Sequence, residues 1–92
     1  MAARKPLEAS NQSKIIKYLE RHGWYVIKLI QTNKNGIPDL LAIRSGRYIW
    51  IEAKRQGKTA EPLQQFRHAE LRAHGAEVRT DIYSIDQLDD LK

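Results

Sequence analysis

Between Leu7 and His22 the apolar residues Ile15, Ile16 and Leu19 recur at helical spacing among polar neighbours, and Gly23 stands where a helix takes its stop. The spacing predicts a first helix over 7–22. Trp24-Tyr25-Val26-Ile27-Lys28-Leu29-Ile30 is aromatic and β-branched and too short for a buried helix, which predicts a strand. Asn33 to Pro38 is turn chemistry, and the mostly apolar run Asp39-Leu40-Leu41-Ala42-Ile43-Arg44 reads as a second strand. Ser45-Gly46 closes a hairpin onto a third strand, Arg47 to Lys54. Two-residue alternation there sets Tyr48, Trp50, Glu52 and Lys54 on one face and Ile49, Ile51 and Ala53 on the other. After a polar loop with Thr59 as expected N-cap, Glu61-Pro62-Leu63 opens a second amphipathic helix that stops at His74-Gly75. Ala76 to Ile82 is the fourth expected strand, and Ser84 to Leu88 begins a short terminal helix whose acids, Asp86 to Asp90, are expected in solvent.

This order predicts an α/β fold. A strand joined to a later strand through a helix implies a parallel pairing, so the expected architecture is a small three-layer-like sandwich, a mixed central sheet flanked by helices. Ninety-two residues suffice for one domain over 1–92 and no second. No repeat or low-complexity tract interrupts it.

Composition narrows the chemistry. Without cysteine, disulfides, thiolate catalysis and cysteine zinc sites are excluded, so any metal must take oxygen or imidazole ligands. The first residues carry no apolar stretch and no apolar run is long enough to span a bilayer, so neither export by a signal peptide nor membrane insertion is expected, and the cytoplasm is the expected compartment. Sixteen Lys and Arg against eleven Asp and Glu leave a net charge of +5, which favours an acidic polymer such as nucleic acid as partner. Charge alone is equally compatible with a merely solvated surface.

Two acids interrupt apolar strands where a buried charge needs a reason. Asp39 begins one hairpin strand and Glu52 lies near the end of its partner, so counting out from Ser45-Gly46 brings them to the same level of the ladder. Carboxylates that close repel unless one is protonated or a cation sits between them. Oxygen ligands with room for water and phosphate suit Mg²⁺, with Mn²⁺ as a substitute. Lys54 projects from the face of Glu52, where its ammonium can hold a water or offset charge on a phosphate. For a lone Glu-Ala-Lys, a same-face ion pair on a solvated strand is the better reading.

The whole string, Gly36-Ile37-Pro38-Asp39-Leu40 followed across a hairpin by Trp50-Ile51-Glu52-Ala53-Lys54, resembles the PD-(D/E)xK nuclease superfamily and specifically its virus-type replication-repair nuclease (VRR-Nuc) domains. The resemblance covers nearly the whole chain and implies a restriction-endonuclease-like core. It makes Asp39 and Glu52 metal ligands and Lys54 the catalytic lysine. It adds Glu8 as the helical acid completing the metal shell, although an acid in a first helical turn is also what the macrodipole favours. Of the adjacent Gln64 and Gln65 only one can face the sheet, and the family's spacing from Gln to Gly75 favours Gln64.

Lys34 before the site, and Arg55 and Lys58 after it, are candidate DNA phosphate contacts or else loop charges in solvent. His22, His68 and His74 lack ligand spacing and read as helix-end or surface residues. Trp24, Trp50 and Phe66 are expected in the core, with Tyr48 and Trp50 as alternative floor residues beneath the metal. The resemblance implies a Mg²⁺-dependent DNA endonuclease acting on branched or structured DNA, such as junctions of replication, recombination or repair, in a bacterial or phage-infected cell. A homodimer would supply two sites for two strands. The rival reading is a non-catalytic basic module that only binds nucleic acid.

Overall fold

The computed structural model describes residues 7–92, with side chains from Ser10 onward. Helix α1 (Leu7–Arg21) leads into strand β1 (Tyr25–Lys28); β2 (Leu40–Arg44) and β3 (Arg47–Ala53) form a hairpin; helix α2 (Pro62–Ala73) crosses to β4 (Glu77–Ile82), and a 3-10 helix (Ile85–Leu91) follows. The strands lie in one sheet in the order β1-β2-β3-β4. β1 with β2 and β2 with β3 are antiparallel, whereas β3 with β4, joined through α2, is parallel. The expected mixed sheet is therefore present, with the crossover helix where the chain order required it.

Alternation along the strands decides the two faces. Leu40, Ala42, Ile49, Ile51 and Ala53 point to one side and are buried under Ile15, Tyr18 and Leu19 of α1, with Trp24, Ile82, Leu88 and Leu91 closing the core. Trp50 and Glu52 point the other way, where α2 packs and leaves Tyr25, Ile27 and Tyr48 exposed. Helices on both faces of a mixed sheet make this an α/β sandwich. Among the described residues no helix is long and apolar enough to cross a membrane.

Several local expectations need correction. β1 is four residues long because Trp24 turns into the core, its indole N–H donating to the Leu91 carbonyl at 2.8 Å. At the other end Ile30 is 88% exposed. The N-cap of α2 is Glu61, not Thr59. Pro62 fits the first helical position, where its missing N–H costs nothing, and so fixes the start one residue after Glu61. The Glu61 side chain then takes the Gln64 backbone N–H while Gln64 Oε1 takes the Glu61 N–H at 2.9 Å. Phe66 lies on the outer side of α2 and is exposed, because the side facing the sheet is occupied by His68. The terminal segment is a 3-10 helix capped by Ser84 whose Leu88 and Leu91 are buried in the core, while its acids Asp86, Asp89 and Asp90 are exposed as expected, Asp90 pairing with Arg79.

Candidate active site

Ser45 and Gly46 both have positive φ, 49° and 80°, the two-residue turn whose twist matches a right-twisted hairpin. That turn sets the register, pairing Leu40 with Ile51. One rung further, Asp39 and Glu52 stand at the same level. Asp39 occupies the bend just before β2 rather than the strand itself. Its carbonyl accepts the Leu29 N–H at 2.8 Å and its Oδ2 accepts the Ala53 N–H at 3.0 Å, which ties the carboxylate to the far end of β3. The preceding loop is seated on α2: Arg67 Nε donates to the Asn35 carbonyl at 2.7 Å, and Gly36, at φ +85°, lies against Leu63 and Arg67.

Glu52 is 1% exposed and Lys54 7%, values rare for charged residues and expected only where a partner or ligand is served. Lys54 follows the last residue of β3 and is held by its backbone. Its N–H donates to the Ile82 carbonyl at 2.8 Å, and its own carbonyl accepts from the Asn11 amide at 2.9 Å. Beside Glu52 the β3/β4 register slips, Ile51 pairing with Arg79 but Ala53 with Ile82. The extra β4 residue is accommodated at Asp81, which has φ +59° and accepts the Ala60 N–H on Oδ1 at 2.8 Å. Bulges bend a strand and re-aim its neighbours, and this one sits opposite the buried acid.

The second half of the site comes from α2. Gln64 Nε2 donates to Glu52 Oε2 at 3.5 Å, whereas Gln65 turns away and donates to the Ala60 carbonyl at 2.7 Å. One turn on, His68 Nε2 lies 3.5 Å from Glu52 Oε1, and the imidazole is 2% exposed. The expectation of a surface or helix-end position is thus wrong for His68. It holds for His22, which follows α1 with Nδ1 2.8 Å from the Tyr18 carbonyl, and for the exposed cap His74. Burial pushes the His68 imidazole below its ordinary range, and the charges of Arg72 and Lys54 add to this while Asp81 and Asp39 oppose it. The signal in the sequence was the spacing of four from Gln64, which puts both side chains on one stripe of the helix.

Asp39, Glu52, Lys54, Gln64 and His68 therefore converge at the open end of the hairpin. Lys34, Arg55 and Lys58 are exposed on the loops around them, and Lys34 lines, with Asp39, a cavity of about 250 Å³. Glu8 belongs to the first turn of α1 and its side chain lies outside the described residues. Among the described residues, acidic, His and Cys side chains form no cluster of three arranged for a metal. The donors at hand, the carboxylates of Asp39 and Glu52, are hard oxygens that suit a divalent cation of the Mg²⁺ type, and the near-complete burial of Glu52 calls for positive charge beside it. The residues fit such an ion.

Residues 8–79 match the model of the archaeal Holliday junction resolvase (Hjc) family. This chain belongs to that family. Hjc-family membership agrees with the chain's likeness to p44 of the Acyrthosiphon pisum secondary endosymbiont phage 1, a protein that carries the name of a nuclease. The two are 31% identical over 72 residues, 77% of either chain. The solved structure of a VRR_NUC domain superposes with a TM-score of 0.80, at 29% identity and 95% coverage of each chain. The Hjc-family chain thus has the VRR-Nuc fold of the PD-(D/E)xK superfamily and is a DNA nuclease, an endonuclease of the metal-dependent phosphodiesterase kind.

Proposed function

We propose that this Hjc-family nuclease hydrolyses phosphodiester bonds of branched DNA, four-way junctions included, with Mg²⁺ held by Asp39 and Glu52 and Mn²⁺ able to replace it. The observation that carries the reading is the opposition of two carboxylates across a hairpin, one of them buried, beside a buried lysine. When bound, the cation polarises a phosphate oxygen and acidifies a water. Asp39, steadied on Oδ2 by the Ala53 N–H, would hold the ion together with Glu52, and Glu8 is the candidate third acid. Lys54 has its backbone fixed at both N–H and carbonyl and is itself buried, so its ammonium is confined to the site, where it offsets charge that builds on the phosphate. Gln64, oriented by its capping box, holds Glu52.

The exposed Lys34, Arg55 and Lys58 ring this cleft and hold backbone phosphates, which favours recognition of shape over base sequence. Replacing any one by Ala should reduce the slope of log Kd against log salt by about 1. A second copy supplies the second cut, and the exposed Tyr25, Ile27 and Tyr48 support the sheet face as its contact. The cytoplasm of a bacterial or phage-infected cell is the proposed setting. Cleavage of junction and linear DNA with Mg²⁺, against EDTA, tests the reading. Asp39→Asn keeps an acceptor for Ala53, so it should remain folded and yet, like Lys54→Ala, lose on the order of 10²–10³-fold or more in rate. Wild-type protein that cuts nothing, or variants that cut as well, would sink the catalytic assignment and leave a binding module.

A further inference from the structure

Glu52 meets α2 at two points, one for each carboxylate oxygen: Gln64 Nε2 is 3.5 Å from Oε2, and His68 Nε2 is 3.5 Å from Oε1. The amide of Gln64 cannot turn over without losing its bond from Oε1 to the Glu61 N–H, so its donor end stays on the carboxylate. The imidazole has even less freedom, at 2% exposure with Glu52 itself at 1%. An apolar side chain would fill this space between helix and sheet without the cost of desolvating a polar ring. The ring is useful there if it donates.

We propose that His68 is a positioning residue for the metal-holding carboxylate: its Nε2–H donates to Glu52 Oε1 and, with Gln64 on Oε2, fixes the plane in which Glu52 presents itself to the cation. This rests on the assignment of Glu52 as a metal ligand. Hydrogen-bonded carboxylate ligands lose affinity when their outer partners are removed, by about 10–100-fold in metal binding. Among the described residues His68 Nε2 makes no hydrogen bond, and its 3.5 Å approach to Oε1 is a contact that must close by a few tenths of an ångström to become one, as polar contacts in catalytic sites commonly do when substrate binds.

Mn²⁺ binding measured by calorimetry separates the two claims. Wild-type protein should bind Mn²⁺, and Glu52→Gln should abolish this; without binding in the wild type, or with binding unchanged in Glu52→Gln, the ligand assignment fails and the role of His68 falls with it. Given that assignment, His68→Leu should weaken Mn²⁺ affinity by about 10–100-fold with its thermal midpoint kept. His68→Gln, which returns a donor near the same place, should recover most of the loss. Wild-type affinity in folded His68→Leu, or no recovery in His68→Gln, overturns the proposal. A third measurement needs no variant. Nitrogen-15 spectra of the wild-type imidazole should show the proton on Nε2 and a shift of that signal on adding Mg²⁺. A proton resident on Nδ1, or a signal indifferent to Mg²⁺, would equally overturn it.

Discussion

At Gly36 two independent demands fall on one residue. Its φ of +85° is one that side chains avoid, and an added Cβ would meet Leu63 Cγ at 2.9 Å and both Arg67 Cγ and the Leu63 backbone at 3.2 Å. The loop that ends in Asp39 can rest on α2 only because nothing projects there. Gly36→Ala should therefore destabilise by about 2–4 kcal/mol, combining left-handed strain with overpacking, and lower the thermal midpoint by roughly 10 °C or more. Gly46→Ala is the control: φ is +80° but no atom lies within 4 Å, so only strain remains, about 1 kcal/mol. Equal losses in the two variants, read by thermal melts, would refute the close-approach account. The sequence showed Gly36 as turn chemistry and could not show α2 above it, since local composition says nothing about a contact from thirty residues away. His68 escaped for the same reason. Alternation and hairpin counting place Asp39, Glu52 and Lys54 relative to each other, but which stripe of a helix meets them depends on how the helix docks.

Among the elements, the hairpin and both helices were legible because each carries its own punctuation: Gly23 and Gly75 after the helices, Ser45-Gly46 between the strands, Pro62 at the start of α2. The shift at Asp81 was not: the extra residue brings Arg79 and Ile82, three apart, opposite Ile51 and Ala53 of one face, and a strand this short and this polar carries no clear alternation for the break to interrupt. β1 proved shorter than its apolar run because Trp24 contributes more to the core than to the ladder. The C-terminal 3-10 helix is tied to the sheet by charge as well as by Leu88 and Leu91. Arg79 on β4 donates to Asp90 at 2.6 Å and 2.9 Å and to Glu77 at 3.3 Å, and Arg47 on β3 makes a two-pronged bond to Glu77 at 2.9 Å and 3.0 Å. These hydrogen bonds hold the carboxyls of Glu77 and Asp90 below their ordinary range. The folded state then binds protons less readily than the unfolded one, so the stabilisation is full above the ordinary carboxylate range, roughly pH 4, and is lost as pH falls through the depressed values. Urea melts from pH 6 to pH 3 should show a steeper fall for the wild type than for Arg79→Met. The difference should be modest, because exposed pairs contribute about 0–1 kcal/mol.

For the molecule as a whole, the strand pairings line up Tyr25, Ile43 and Tyr48 in one row and Ile27, Leu41 and Trp50 in the next, on the face that α2 covers over β4 and the Glu52 end of β3. Tyr25 is 70% and Tyr48 56% exposed. If this face joins two copies, Tyr25→Lys with Tyr48→Lys should shift sedimentation to the monomer, each anchor weakening association by on the order of 2 kcal/mol. Wild-type protein that sediments as a monomer at high concentration would rule the contact out. The crossover that makes β3 and β4 parallel also orders events in time. Asp39, Glu52 and Lys54 belong to one hairpin, of a kind that closes in about 1–10 μs, whereas Gln64 and His68 arrive only when α2 has swung over and β4 has found its edge. On the ribosome, at about 5–20 residues per second, the carboxylates emerge and meet in open water before their roof exists. The cost of drying Glu52 therefore falls on the last docking step, the one in which Gln64 and His68 take their places beside it.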